Sequence, residues 1–155
     1  MSKWYGKITS TPDDLSILVD AVLYFENEIE MAKHEVKLKG SVEKSSAQLP
    51  GIVEHRFNQY QEVEAILKYL EIKHTKAKSA AFKRFLENYN KTLSSRDAAI
   101  YAEADSDVIE LAMLINQVAL VRNTYMGVMK GLEYKHWQIN NIVKLKVAGM
   151  EDFEV

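Results

Sequence analysis

The chain has 155 residues, 47% of them hydrophobic, and a formal net charge of -2 at pH 7, which argues against disorder and suits a single domain. It contains no cysteine, which excludes disulfides and a cysteine nucleophile and is typical of an intracellular protein. No apolar run approaches the roughly 20 residues of a membrane span, and residues 1–8 lack a signal-peptide stretch, so we expect no membrane association.

The first half of the chain predicts two helices separated by a loop. A first helix is predicted over residues 11–39, where Thr11 can cap the helix, Pro12 suits its first position and apolar residues recur at three- and four-residue spacing. Residues 40–51 are predicted to form a loop, because Pro50 and Gly51 are a turn signal. The N-terminal residues before the first helix are expected to be a loose tail.

The second half of the chain also predicts helices. A second long helix is predicted over residues 52–92, which contain no proline or glycine. A C-terminal helical segment is predicted over residues 96–147, in which a cap at Asp105 or Ser106 allows a short helix to precede a long one. Residues 148–155 are predicted to be an acidic tail. The fold class is therefore all-α, a long antiparallel helical hairpin or bundle with coiled-coil-like packing.

Heptad spacing is most regular in the C-terminal segment. Its apolar residues alternate three and four positions apart, which is typical of helices that pack in the manner of a coiled coil, within one subunit or between subunits. We predict that they form an oligomer interface consisting of Leu114, Val118, Val121, Tyr125, Val128, Leu132, Ile139 and Ile142. Lys135 is the polar interruption of this series. Gly127 and Gly131 predict a place where another element packs closely.

Two Glu-x-x-His motifs raise the question of a di-metal centre, because four-helix carboxylate proteins bind two metal ions with such pairs and two further carboxylates. The candidate ligands along the chain are Glu28, Glu71 with His74, Glu110, and Glu133 with His136. Glu110 and Glu133 belong to one predicted helix, where a rise of about 1.5 Å per residue separates them by about 35 Å. Ligands of one metal lie about 2 Å from it. We therefore expect no metal, no cofactor and two histidines at helix interfaces, with a ferritin-like bundle as the alternative.

Catalytic signatures are absent from the sequence. It contains no Gly-x-Gly-x-x-Gly, no phosphate-binding loop that ends in Gly-Lys-Ser/Thr, and no Gly-x-Ser-x-Gly. We therefore expect no enzymatic activity and assign no catalytic residues.

Residues 73–91 are strongly basic within an almost neutral chain. They carry six cations against one acid, Glu87, and the aromatic residues Phe82, Phe85 and Tyr89 are interleaved with the cations. Lysine and arginine neutralise phosphates, and aromatic rings stack on the bases of single strands. The predicted nucleic-acid-binding residues are Lys73, Lys76, Lys78, Lys83, Arg84, Phe85, Tyr89 and Lys91. The aromatic spacing fits core packing equally, so a structural coiled-coil adaptor without DNA affinity stays open.

Residues 76–108 and 116–152 resemble the UvsY recombination mediator family of T-even-like bacteriophages, especially its cyanophage forms. The matching stretches are "LSSRD", "EADSDV", "VRNTYMGVMKGLE" and "QINNIVKLKVAGMED". The resemblance implies a non-enzymatic protein of the host cytoplasm that binds single-stranded DNA and forms ring-like hexamers or heptamers. Such a protein helps a phage recombinase displace single-strand-binding protein. The DNA-binding motif of the family corresponds here to Lys83 and Arg84, beside Phe85 and Tyr89.

Overall fold

A computed structural model describes residues 3–88 and 92–149. Within these ranges the chain forms five α-helices and no strand, which confirms the all-α prediction. The helices are α1 (Lys3–Ser10), α2 (Ser16–Val36), α3 (Val42–Asn88), α4 (Ser95–Glu103) and α5 (Ser106–Val147). In the described part of the chain, no helix combines the length and the apolar character of a membrane span.

The chain divides into two compact units. Unit 1 comprises Met1–Val63 and Val121–Val155, and unit 2 comprises Glu64–Leu120. Both α3 and α5 contribute residues to each unit. The predicted short helix before the last long one is confirmed as α4, whose N-terminus is capped by the Ser94 hydroxyl accepting from the Asp97 N–H at 3.2 Å.

Helix α1 occupies residues that we predicted to be a loose tail, so that prediction is wrong. The first N–H groups of a helix have no partner within it. Here the N–H groups of Trp4 and Tyr5 donate to Oε1 of Glu62 at 2.6 and 3.1 Å. The Trp4 ring also lies 5.5 Å from the ring of Tyr24, and Ile8 is buried. The short helix is thus held by partners that are distant in the sequence.

Helix α2 begins at Ser16, later than the predicted start at residue 11. The Asp14 N–H donates to the Thr11 carbonyl at 3.1 Å, which makes a turn before the helix. The Asp14 carboxylate then accepts from the N–H and the hydroxyl of Ser16 at 3.0 and 2.6 Å. These hydrogen bonds lower the pKa of Asp14. Gly40, the first residue after the predicted helix, lies beyond the end of α2 and has a φ of 72° that favours glycine.

Helix α3 begins at Val42 and continues through Pro50 and Gly51, so the predicted loop over residues 40–51 is wrong. A proline in a helix interior costs about 3 kcal/mol. Core packing offsets this cost, because Leu49 is buried with Ala32 in the unit 1 core, and one such leucine contributes about 2 kcal/mol. The other apolar residues of this segment that pack on the same core are Val42, Ile52 and Val53. The predicted end of this helix at residue 92 lies beside residues 89–91, which are outside the described ranges.

The predicted oligomer interface is mostly the core of the single chain. Seven of its eight residues are buried: Val118, Val121, Tyr125, Val128, Leu132, Ile139 and Ile142. Leu114 is half-buried. Side chains that are already covered within the chain offer no surface to a second copy, so the predicted interface is wrong for these seven residues. Heptad spacing indicates that helices pack together. The same spacing arises whether the helices belong to one subunit or to two, so it does not distinguish the two cases.

Lys135, the polar interruption of the heptad series, and Gly131, a predicted place of close packing, both face the end of α2. Nζ of Lys135 donates to the Glu35 carbonyl at 2.7 Å, and Lys135 is only 6% exposed. This carbonyl lies in the last turn of α2, where helix carbonyls lack helical partners and a cation is favourable. A Cβ on Gly131 would lie 2.7 Å from Cγ1 of Val36. The predicted close packing is thus confirmed at Gly131, whereas a Cβ on Gly127 would meet nothing within 4 Å.

A polar network built on Arg56 lies inside unit 1. Arg56 is 2% exposed. Its Nε and Nη2 donate to the two carboxylate oxygens of Glu35, each at 2.7 Å, and its Nη1 donates to Glu28 at 2.6 Å. Gln59 joins the network by accepting from Arg56 at 2.8 Å and donating to Glu28 at 2.7 Å. The hydroxyl of Tyr125 donates to the same Gln59 oxygen at 3.2 Å. The network therefore links α2, α3 and α5.

The charges of this network shift the pKa values of its members in consistent directions. Hydrogen bonds to Glu35, and secondarily to Glu28, hold the pKa of Arg56 above its usual range despite its burial. Burial alone would raise the pKa of Glu28, but the hydrogen bonds from Gln59 and Arg56 outweigh it and lower this pKa. Burial raises the pKa of Tyr125. These directions favour an ionised Glu28 beside a charged guanidinium, with a neutral phenol next to them.

Replacement of Arg56 by methionine should lower the free energy of unfolding by about 3 kcal/mol, because it leaves two carboxylates without their cation. Urea unfolding monitored by circular dichroism measures the change. The matched control is Lys33→Met, which breaks an exposed pair with Glu30 and should change stability by less than about 0.5 kcal/mol. Equal losses in the two variants would contradict the role assigned to Arg56.

Acid should weaken the network at Glu28. A carboxyl whose pKa is lowered by folding contributes stability that is present above its unfolded pKa and lost as the pH falls through its folded pKa. The stability difference between the wild type and Glu28→Gln should therefore be largest above pH 4.5, the ordinary pKa of this carboxyl, and shrink below it. Urea unfolding at a series of pH values measures this difference. A difference that stays constant across the series would show that Glu28 does not titrate in this way.

Candidate nucleic-acid interface

Most of the predicted nucleic-acid-binding residues lie on the part of α3 that belongs to unit 2. Tyr89 and Lys91 lie outside the described residues. Lys76 and Lys83 are exposed and form no ion pair with any described residue. Because they are seven residues apart, about two helical turns, they share one face of α3. We call this surface the cationic face of α3.

The side chains that surround these two lysines leave the face open. Ala80 is exposed and lies four residues after Lys76 and three before Lys83, so it sits between them. Its small side chain leaves room for a strand to approach the helix. Lys73 is half-buried, with Nζ 5.9 Å from the centre of the Tyr69 ring. The face thus combines two exposed cations with a small side chain between them.

Two other predicted cations are already paired with carboxylates. Nζ of Lys78 lies 2.9 Å from Oε1 of Glu103, and Arg84 forms an ion pair with Asp105. The hydrogen bond from Lys78 lowers the pKa of Glu103. Both acids belong to the "EADSDV" stretch at the junction of α4 and α5. A phosphate that binds Lys78 or Arg84 must therefore compete with a carboxylate of the chain itself.

Asp105 has a second role besides pairing with Arg84. Its Oδ1 accepts from the Asp107 N–H at 3.1 Å, and its carbonyl accepts from the Ile109 N–H at 3.0 Å. These are the contacts of an N-cap residue, so Asp105 begins α5. The end of the basic segment is in this way attached to the start of the last helix.

The aromatic residues of the basic segment belong largely to the core of unit 2. Phe82 and Phe85 are half-buried and pack against a cluster of Ala81, Ala102 and Val108. The Phe85 ring also lies 5.6 Å from the ring of Tyr101. The structure therefore places Phe85 in the core instead of on the cationic face, where we had predicted it to bind DNA. Three-to-four spacing is what a packed helix face requires, and here packing accounts for it.

A cavity between α3 and α4 opens beside the cationic face. Its volume is about 490 Å³. The residues that line it are His74, Thr75, Lys78, Ser79, Phe82, Ala99 and Ala102. Of these residues, only Lys78 was predicted from the sequence to bind nucleic acid, and His74 was considered only as a metal ligand or an interface residue. The sequence contains no signal for how α4 packs on α3, so it could not indicate that these residues line one cavity.

The residues of the two Glu-x-x-His motifs do not form a cluster. Among the described residues, no group of three or more histidine, aspartate or glutamate side chains could hold a metal ion. The Glu28 carboxylate is occupied by Arg56 and Gln59. His136 is exposed, with Nε2 3.1 Å from the Asn140 amide, and it lines a cavity between α3 and α5. His74 is half-buried and lines the cavity between α3 and α4.

Comparison of the chain with models of known protein families, with curated proteins and with solved structures finds no match. The likeness of residues 76–108 and 116–152 to the UvsY family therefore remains a resemblance in sequence. Any functional assignment depends on that resemblance and on the surface of unit 2.

Proposed function

We propose that this protein is a non-enzymatic recombination mediator that binds single-stranded DNA. As a homo-oligomer in the host cytoplasm, it would help load a phage recombinase onto DNA covered by single-strand-binding protein. The observation that carries the DNA-binding part is the cationic face of α3, where Lys76 and Lys83 are exposed and form no ion pair with a described residue. The resemblance to the UvsY family supports the more specific role in recombination.

The charge arrangement favours moderate binding that responds to salt. Each phosphate contact releases counterions, so affinity falls as salt rises. The whole chain carries a formal charge of -2, and two cations of the segment are neutralised by Glu103 and Asp105. Few cations of the segment are therefore available to bind phosphates of the strand. A mediator needs such a balance, because it must hold the strand and then release it to the recombinase.

Self-association strengthens weak binding by repeating the cationic face, since linked sites bind with avidity. The buried heptad residues cannot supply the contact between copies. In unit 1, α5 instead exposes Tyr134 at 73% and Trp137 at 55%, and exposed aromatic residues are typical of protein interfaces. The proposal assigns self-association to this part of α5. The ring-like hexamer or heptamer follows from the resemblance alone.

Alanine at both Lys76 and Lys83 should weaken the binding of oligo-dT and flatten its salt dependence. For single strands, the slope of log affinity against log salt should fall by about 0.7 for each phosphate that the protein no longer neutralises. Fluorescence anisotropy of a labelled oligo-dT at several salt concentrations measures both changes. The control is the double variant Lys144→Ala and Lys146→Ala, which removes the same charge from the last turn of α5.

The control variant should bind like the wild type, and both double variants should keep the oligomer size of the wild type in sedimentation. If the loss of Lys76 and Lys83 leaves binding unchanged, the DNA site lies elsewhere. If the wild type binds no oligo-dT at low salt, the protein is an adaptor without DNA affinity. The mediator role requires in addition that the wild type, and not the Lys76/Lys83 variant, accelerates recombinase assembly on strands coated with single-strand-binding protein.

Replacement of Glu103 by glutamine should tighten oligo-dT binding about threefold, a change typical of releasing an exposed ion pair. It frees Lys78 for a phosphate, so the salt slope should steepen by about 0.7. The same anisotropy titration measures both effects. Glu110→Gln removes an equal charge from an exposed position of α5 in unit 2 and should leave the slope unchanged. Equal effects of the two variants would mean that only the overall charge matters.

A further inference from the structure

The cavity between α3 and α4 is lined by an aromatic ring and several polar side chains, which the cationic face lacks. Phe82 forms part of its wall and is half-buried, so one part of the ring packs on the core while another part faces the cavity. Ala99 and Ala102 of α4 keep the cavity open because their side chains are small. Polar groups come from α3, namely the hydroxyls of Thr75 and Ser79.

The position of Ser79 connects this cavity to the cationic face. Ser79 lies three residues after Lys76 and four before Lys83, so it shares the border of that face. It also lines the cavity, as does Lys78. A strand whose phosphates lie along Lys76 and Lys83 therefore passes the mouth of the cavity.

We propose that the cavity takes one unstacked nucleobase of the bound strand. The base lies against the exposed part of the Phe82 ring, since aromatic side chains in single-strand-binding proteins stack on bases. The hydroxyl of Ser79 and the imidazole of His74 can donate or accept hydrogen bonds at its polar edge, whereas the Thr75 hydroxyl, which donates to the Glu71 carbonyl at 3.0 Å, can accept there. Lys78 binds the adjoining phosphate when it leaves Glu103. This inference rests on the proposed single-strand binding and adds a base contact to it.

The cavity is large enough for such a ligand. Its volume of about 490 Å³ lies within the roughly 300–1,000 Å³ of small-molecule sites. An aromatic wall with a few convergent polar groups is the composition of such sites. The lysine at its edge distinguishes it from a purely apolar groove, because it matches the negative charge of the strand.

The test compares oligo-dT with an abasic oligonucleotide of the same length, which keeps the phosphates and lacks the bases. Ala99→Leu fills the cavity from α4 with a good helix former, and Ala99→Ser leaves it open. In anisotropy titrations the wild type should prefer oligo-dT over the abasic strand. Ala99→Leu should bind oligo-dT about tenfold more weakly, the decrease expected when one base no longer stacks. Its affinity for the abasic strand should match that of the wild type, and Ala99→Ser should behave as the wild type.

The outcomes separate this inference from the proposed function. If the wild type binds neither oligonucleotide, the proposed function fails and the base site with it. If the wild type binds both equally, or if Ala99→Leu keeps the full preference for oligo-dT, the base site is overturned while strand binding stands. Phe82→Leu, which removes the ring and keeps an apolar side chain, provides a second measurement. Should thermal melting show that Ala99→Leu does not fold, Phe82→Leu decides the matter: a reduced preference for oligo-dT supports the base site, and a full preference overturns it.

Discussion

The guanidinium of Arg56 is buried inside unit 1 and held by the carboxylates of Glu28 and Glu35. A buried charge without partners is strongly destabilising, so α2 and α3 can pack only in a register that brings these carboxylates to it. Gln59 extends the constraint to Tyr125 on α5. Replacing a buried ion pair with apolar residues often adds stability. We therefore assign to this network the role of fixing the register of α2 against α3, more than that of adding stability. The core around Leu49, Leu132 and Ile139 then forms in the one arrangement that the network allows.

Ion pairs in unit 2 have the opposite character, and this difference bears on function. The side chain of Arg84 is 53% exposed, whereas that of Arg56 is 3% exposed. Exposed pairs contribute little stability and exchange easily with other charges. The pair of Lys78 with Glu103, whose side chains are 43% and 64% exposed, can therefore open when a phosphate competes, at small expense to the fold. Weak pairing of this kind gives the proposed mediator a site that both binds a strand and lets it go.

The candidate site could be predicted only in part. Charge along the chain identified the cations of residues 73–91, because a run of cations needs no tertiary information to be seen. The sequence could not show that Lys78 and Arg84 are paired, since their acids lie 25 and 21 residues further along the chain. Nor could it assign Phe85 to the core, because three-to-four spacing fits a packed face and a binding face equally. The cavity next to Phe82 arises only where α4 packs on α3.

The sequence by itself determined the helical fold class, a cap at Asp105 or Ser106, and the basic segment. These features depend on neighbours within a few residues, which is the range over which helix periodicity and capping act. Tertiary structure alone decided that α1 forms, that α3 runs through Pro50, and that the heptad residues of α5 are core. In each case the deciding contact joins residues far apart in the chain, such as Trp4 with Glu62 or Leu49 with Leu132. Local turn signals and heptads do not encode such partners, so only packing could choose between the alternatives.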